Sequence, residues 1–199
     1  LSYRLPFEDG NFVWCLDYLN LEHLELFFLS LDDVQTCRAV AALEINYLSL
    51  EYCEFEDEEF VQVLVDNIRA ERGPKGLSLQ GDPFYSPETP ETFVEFMNAL
   101  RGNTYLERLD LGSFLFSAGC LQALIAALSA NKGLTHLELR DCNVDDRFWF
   151  KFMDAIHFEL FPLKKSLMQI QICYCNAILR SMRLPVCLLK MNKWMQSNM

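Results

Sequence analysis

Eight cysteines, three histidines and 28 acids are the side chains of this 199-residue chain that could carry chemistry. Cys173-x-Cys175 looks like a fragment of a metal site, but no further ligands stand at the matching spacing, and zinc takes four donors. The acidic run Glu54, Glu56, Asp57, Glu58, Glu59 lacks the glycine and the ligand spacing of a calcium loop. It suits a helix start, where each exposed acid gains about 0.3–1 kcal/mol from the helix dipole. His23 and His136 each precede a leucine in matching contexts, and His157 stands apart from both. No Ser-His-Asp or Cys-His arrangement is visible, and no glycine-rich phosphate loop. These residues assign no catalytic centre, no metal and no cofactor, so a non-enzymatic protein is expected.

The elements that would position such side chains repeat. The chain reads Leu21-x-x-Leu24-x-Leu26, Ile45-x-x-Leu48-x-Leu50, Leu77-x-Leu79, Leu106-x-x-Leu109-x-Leu111, Leu134-x-x-Leu137-x-Leu139 and Leu167-x-x-Ile170-x-Ile172. The central positions 24, 48, 77, 109, 137 and 170 are 24, 29, 32, 28 and 33 residues apart. In each unit the last two apolar residues are two apart, so a strand sends both to one face. Helical stripes follow: Val34, Cys37, Val40, Ala41; Phe60, Val63, Leu64, Ile68; Phe93, Phe96, Met97, Leu100; Cys120 to Leu128; and Phe148 to Ile156. The third unit carries an enlarged loop in which Pro83, Pro87 and Pro90 oppose regular structure. One strand and one helix cannot bury such a stripe alone. Stacked units can, with parallel strands about 4.8 Å apart. Helices are wider, roughly 10 Å, so the stack must curve with strands inside and helices outside. In that arrangement His23 and His136 lie four strand spacings apart, roughly 19 Å, too far for a shared ion or proton relay.

Residues 1–20 read as a preceding repeat remnant or an N-terminal cap, with Phe12, Cys15, Leu16 and Leu19 at helical spacing. Residues 21–180 hold about six repeats, and 181–199 form a basic C-terminal cap or tail. Charge is split accordingly: residues 1–159 hold 11 Lys and Arg against all 28 acids, and 160–199 hold six Lys and Arg with no acid. The net −11 argues against nucleic acid, which needs a basic footprint. In the tail, Lys190, Lys193 and Trp194 beside Leu188 and Leu189 suit a cap better than a membrane contact. No apolar run approaches the roughly 18 residues of a membrane span, and no signal-peptide pattern stands in residues 1–20. Cysteines in apolar surroundings and the lack of an Asn-x-Ser/Thr site point to a reducing, cytoplasmic compartment.

The unit Leu134-Thr-His-Leu-Glu-Leu-Arg-Asp-Cys142-Asn-Val144 resembles the leucine-rich repeat family. The likeness is to its long ribonuclease-inhibitor-like class, also found in NOD-like receptors and Ran GTPase-activating proteins. The resemblance covers about residues 21–180 and departs from the family at Asp82 and Phe114, where Asn or Cys is usual. It implies an α/β, right-handed leucine-rich-repeat solenoid, a horseshoe with parallel strands concave and helices convex. It further implies that Cys53, Cys142 and Cys175 take the interior turn position, their thiols bonded to loop backbone. Cys142 and Cys175 would also lie near disulfide range in adjacent repeats. The resemblance favours the concave face as the binding surface for another protein, within a larger receptor or adaptor. Its candidate contacts are His23, Glu25, Phe27, Tyr47, Ser49, Glu51, Arg108, Asp110, His136, Glu138 and Arg140. Replacing Glu25, Asp110 and Glu138 by Lys is expected to abolish binding without unfolding. The alternative is a GTPase activator of the Ran type, which needs an arginine or asparagine against the nucleotide; no arginine here matches a family motif.

Overall fold

The computed structural model describes residues 21–28, 34–53, 59–81, 90–114, 116–139 and 142, together with the backbone of 169–171. Strands and helices alternate along it. The strands are β1 (His23–Phe27), β2 (Tyr47–Glu51), β3 (Gly76–Gln80), β4 (Arg108–Asp110), β5 (His136–Glu138) and β6 (Gln169–Gln171). The helices are α1 (Val34–Ala41), α2 (Glu59–Arg69), α3 (Pro90–Gly102) and α4 (Ala118–Ala130). The fold is α/β. All six strands form one sheet in chain order, each parallel to the next.

Register follows the repeat. Leu24 pairs with Leu48, Leu48 with Leu77, Leu77 with Leu109, Leu109 with Leu137, and Leu137 with Ile170. A parallel pair slipped by one residue would turn its leucines to the other face, so burial holds the register. Ten leucines are buried beneath the sheet: 24, 26, 48, 50, 77, 79, 109, 111, 137 and 139. Each contributes roughly 1.5–3 kcal/mol relative to exposure.

The helices close that layer. Each lies beside the next in a row from α1 to α4. Cys37, Val40 and Ala41 of α1, Phe93, Phe96, Met97 and Leu100 of α3, and Cys120, Leu121, Leu124 and Leu128 of α4 are buried, as their stripes predict. Helix α2 differs in detail: Val61 and Val65 are buried with Phe60, Leu64 and Ile68, and Val63 is only half-buried. Pro90 opens α3 rather than breaking it. The first helical position needs no amide donor and suits its fixed φ. At α4 the Ser117 hydroxyl caps the start by accepting from the Cys120 amide at 3.2 Å. Among the described residues, no helix is long and apolar enough to cross a membrane. The expected elements in residues 1–20, 148–156 and 181–199 lie outside the described residues.

Phe114 stands where the resemblance leads one to expect Asn or Cys. It is buried and packs against Phe93 and Phe116, with ring centroids 5.8 and 5.6 Å away, and Phe93 meets Phe116 at 5.7 Å. Three interlocking rings fill space that a small polar turn residue would leave empty.

Candidate functional site

The registers sort the face opposite the helices into rows. The first holds His23, Tyr47, Gly76, Arg108, His136 and Gln169; the second Glu25, Ser49, Ser78, Asp110, Glu138 and Gln171; the third Phe27, Glu51 and Gln80. Ten of the eleven candidate contacts therefore share one face, and Arg140 lies outside the described residues. They are not equally accessible. His23 and Arg108 are exposed, and Glu25, Phe27, Tyr47, Glu51, His136 and Glu138 are half-buried. Ser49 and Asp110 are 2 % and 1 % exposed, and Ser78 of the same row is fully covered. The centre of the face is thus polar and sealed. Lysine at position 110 would bury an ammonium, so the expectation that Asp110 could be reversed without unfolding is corrected; Glu25 and Glu138 remain suitable.

Tyr47 forms part of the seal. Its ring lies across the neighbouring strand over Gly76, where a methyl group would fall 2.6 Å from Tyr47 Cδ2 and 3.2 Å from the Asn46 carbonyl oxygen. Burial pushes the Tyr47 phenol above its ordinary range, and the negative charges of Asp110 and Glu138 push the same way. The neighbouring Ser78 side chain and the charge of Arg108 oppose that shift. One side chain from β2 therefore senses groups on β3, β4 and β5. On its other side it meets the His23 ring at 6.1 Å, tilted 45°.

At the far end of the face, His136 Nδ1 lies 2.8 Å from Thr135 Oγ1, which also donates to the Glu107 carbonyl oxygen at 3.0 Å. A hydroxyl has one proton. With it given to Glu107, the Thr135 oxygen is left to accept from Nδ1–H. Ser49 donates to Glu51 Oε1 at 3.2 Å, which fixes that carboxylate at the end of β2. Among the described residues, no three His, Cys, Asp or Glu side chains gather as a metal ion would require.

Two half-buried cysteines past the strands bond to backbone. Cys53 Sγ donates to the Leu26 carbonyl oxygen at 3.5 Å, and Cys142 Sγ donates to that of Leu111 at 2.9 Å. Both carbonyls belong to the preceding unit. Neither cysteine is in a disulfide, and Cys175 lies outside the described residues.

Sequence reasoning missed two features. The first is a chain of buried asparagines behind the strands. Asn103 donates to the Ile68 carbonyl oxygen at 2.7 Å and accepts from the Leu106 amide at 2.7 Å. Asn131 donates to the carbonyl oxygens of Leu100 and Asn103 at 2.6 and 2.7 Å and accepts from Leu134 at 2.7 Å. The signal was present as Asn-x-x-Leu-x-x-Leu at 103–109 and again at 131–137. The second is a row of left-handed residues just past the strands: Phe28 (φ 52°), Tyr52 (φ 53°), Gly81 (φ 89°) and Ser113 (φ 61°). Each stands four residues after its central leucine. The amides of Phe28, Tyr52 and Gly81 donate to the carbonyl oxygens of Glu51, Gln80 and Gly112 at 3.0, 2.8 and 3.3 Å. For bulky residues this conformation costs roughly 1–2 kcal/mol. No family model matches the chain, and no curated protein matches it as a relative.

Proposed function

We propose that the chain is a leucine-rich-repeat module, a right-handed horseshoe whose concave sheet face binds another protein. The observation that carries this reading is the face itself. Six in-register parallel strands are backed by helices on the leucine side, while the opposite side presents His23, Glu25, Phe27, Tyr47, Glu51, Arg108, His136 and Glu138. Parallel sheets are ordinarily covered on both faces. A face left to polar and aromatic side chains is a surface for a second molecule. Helices packed side by side span more width than strands, which supports the curve. The reading is non-enzymatic and places the module in the cytoplasm, within a larger receptor or adaptor. Recognition rests on a preformed shape with acidic and aromatic contacts.

The test uses position. A photoreactive side chain at His23 or Glu138 should crosslink the partner, and one at Gln122 on α4 should not. Glu25→Lys combined with Glu138→Lys should remove the face adducts with thermal stability within about 1 kcal/mol of the parent, as for surface changes. Adducts that persist in the charge-reversed chain, or that form equally from Gln122, would refute the assignment.

A further inference from the structure

Past the end of β1 and β2, two aromatic residues break two rules at once. Phe28 is 77 % exposed and Tyr52 is 46 % exposed, the large apolar side chains most open to water among the described residues. Both also hold a left-handed backbone, at φ 52° and 53°. Glycine takes that conformation freely and bulky residues do not. Position 81, the next in the row, is glycine. Phe28 combines that strain with exposure, and such strain concentrates where a molecule binds.

The geometry of the ledge is defined. The rings stack with centroids 5.4 Å apart and planes within 8°. Tyr52 crosses Gly81, where a methyl group would fall 2.8 Å from Tyr52 Cδ1, and its hydroxyl meets Ser113 Oγ at 3.3 Å. Tyr52 is held from below, and Phe28 rests on it with its outer side in water. The charge beside the ledge has one sign. Glu51 immediately precedes Tyr52, and the second and third rows of β1 and β2 carry Glu25 and Glu51 with no lysine or arginine.

We propose that this ledge receives an arginine side chain of the partner. The planar guanidinium stacks on the open side of Phe28 and pairs with the Glu51 carboxylate. Arginine fits better than lysine because its flat, weakly hydrated cation stacks on rings and bonds carboxylates in a fork. The proposal rests on the reading of the sheet face as protein-binding and adds the partner's chemistry: a basic segment with arginine at its anchor.

Phe28→Gly separates binding from folding, because it removes the ring while relieving the backbone. The experiment measures fluorescence anisotropy of an arginine-rich peptide, a lysine-rich peptide of equal length and charge, and a glutamate-rich peptide on the full chain. Thermal melting of each variant is followed in parallel. The expected result is arginine over lysine with no glutamate binding, and about a tenfold loss of arginine affinity in Phe28→Gly with an undiminished melting temperature. The preference for arginine over lysine should vanish in the same variant. A lowered melting temperature with unchanged affinity would make the ledge structural and overturn the proposal. Equal binding of arginine and lysine peptides, or no binding of either, would also overturn it. Loss of binding in Glu25→Lys/Glu138→Lys but not in Phe28→Gly would overturn the ledge while sparing the sheet face. Indifference to both variants would overturn both.

Discussion

Asn131 shows how much one side chain can hold. Its amide is fully buried and makes three bonds, two to carbonyl oxygens of the preceding unit and one to the amide of Leu134. Asn131→Ala removes this partner from the Asn103 carbonyl and the Leu134 amide, while the Leu100 carbonyl keeps the Asn103 amide at 3.2 Å. It should cost about 2–4 kcal/mol, since each orphaned buried group costs roughly 1–3, read from urea unfolding. Glu71 makes an opposite case on the surface. It sits at the end of α2 at φ 53° and accepts from the Thr104 amide and hydroxyl at 3.0 and 2.6 Å. The Thr104 hydroxyl first, and then its amide, holds the carboxylate below its ordinary value of 4.5. A lowered folded value means that folding favours the charged form. The contribution is present above the ordinary value and is lost as pH falls through the folded one. Urea midpoints of the parent and Glu71→Gln should therefore differ near neutrality and converge in acid. A gap that is constant with pH would assign Glu71 no such role.

At the scale of elements, side chains lean onto the next unit's glycine. Tyr47 covers Gly76, Tyr52 covers Gly81, and Gln80 lies over Gly112, where a methyl group would fall 3.2 Å from its Cγ. Gly76→Ala should destabilise by about 1–3 kcal/mol through overpacking. In a Tyr47→Ala background most of that cost should disappear, leaving the part due to the Asn46 carbonyl. Additive costs in the double-mutant cycle would show that the ring is not the obstacle. Much of the element order was legible beforehand. Leucine alternation located every strand, because burial on one face leaves period two in the sequence. Helix stripes fared nearly as well, failing at α2, where three valines on successive odd positions blur which face is inward. The glycine footprints were not legible. The residue that covers each glycine lies one whole unit back, at a separation that changes from unit to unit. Burial of Ser49 and Asp110 was hidden for the same reason: strand alternation gives the face and says nothing of what leans across it.

Across the whole molecule, contacts run in one direction. Each described strand pairs only with the strands before and after it, and each helix lies along only its neighbours. Stability is then close to a sum over units and the seams between them. Leu77→Ala, in the middle of the row, should cost about 2–5 kcal/mol. Hydrogen exchange should quicken most in β2, β3 and β4 and least in the units furthest away. Uniform acceleration over all six strands would instead show one indivisible cooperative block. The same architecture bears on how such a chain changes size. β1 and β6 stand at opposite ends of the described sheet and do not pair, so among the described strands no ring has to close. Duplicating or excising one complete period would create a single new junction and leave the other pairings as they are. Lengthening the sheet in this way asks for no redesign of what is already built.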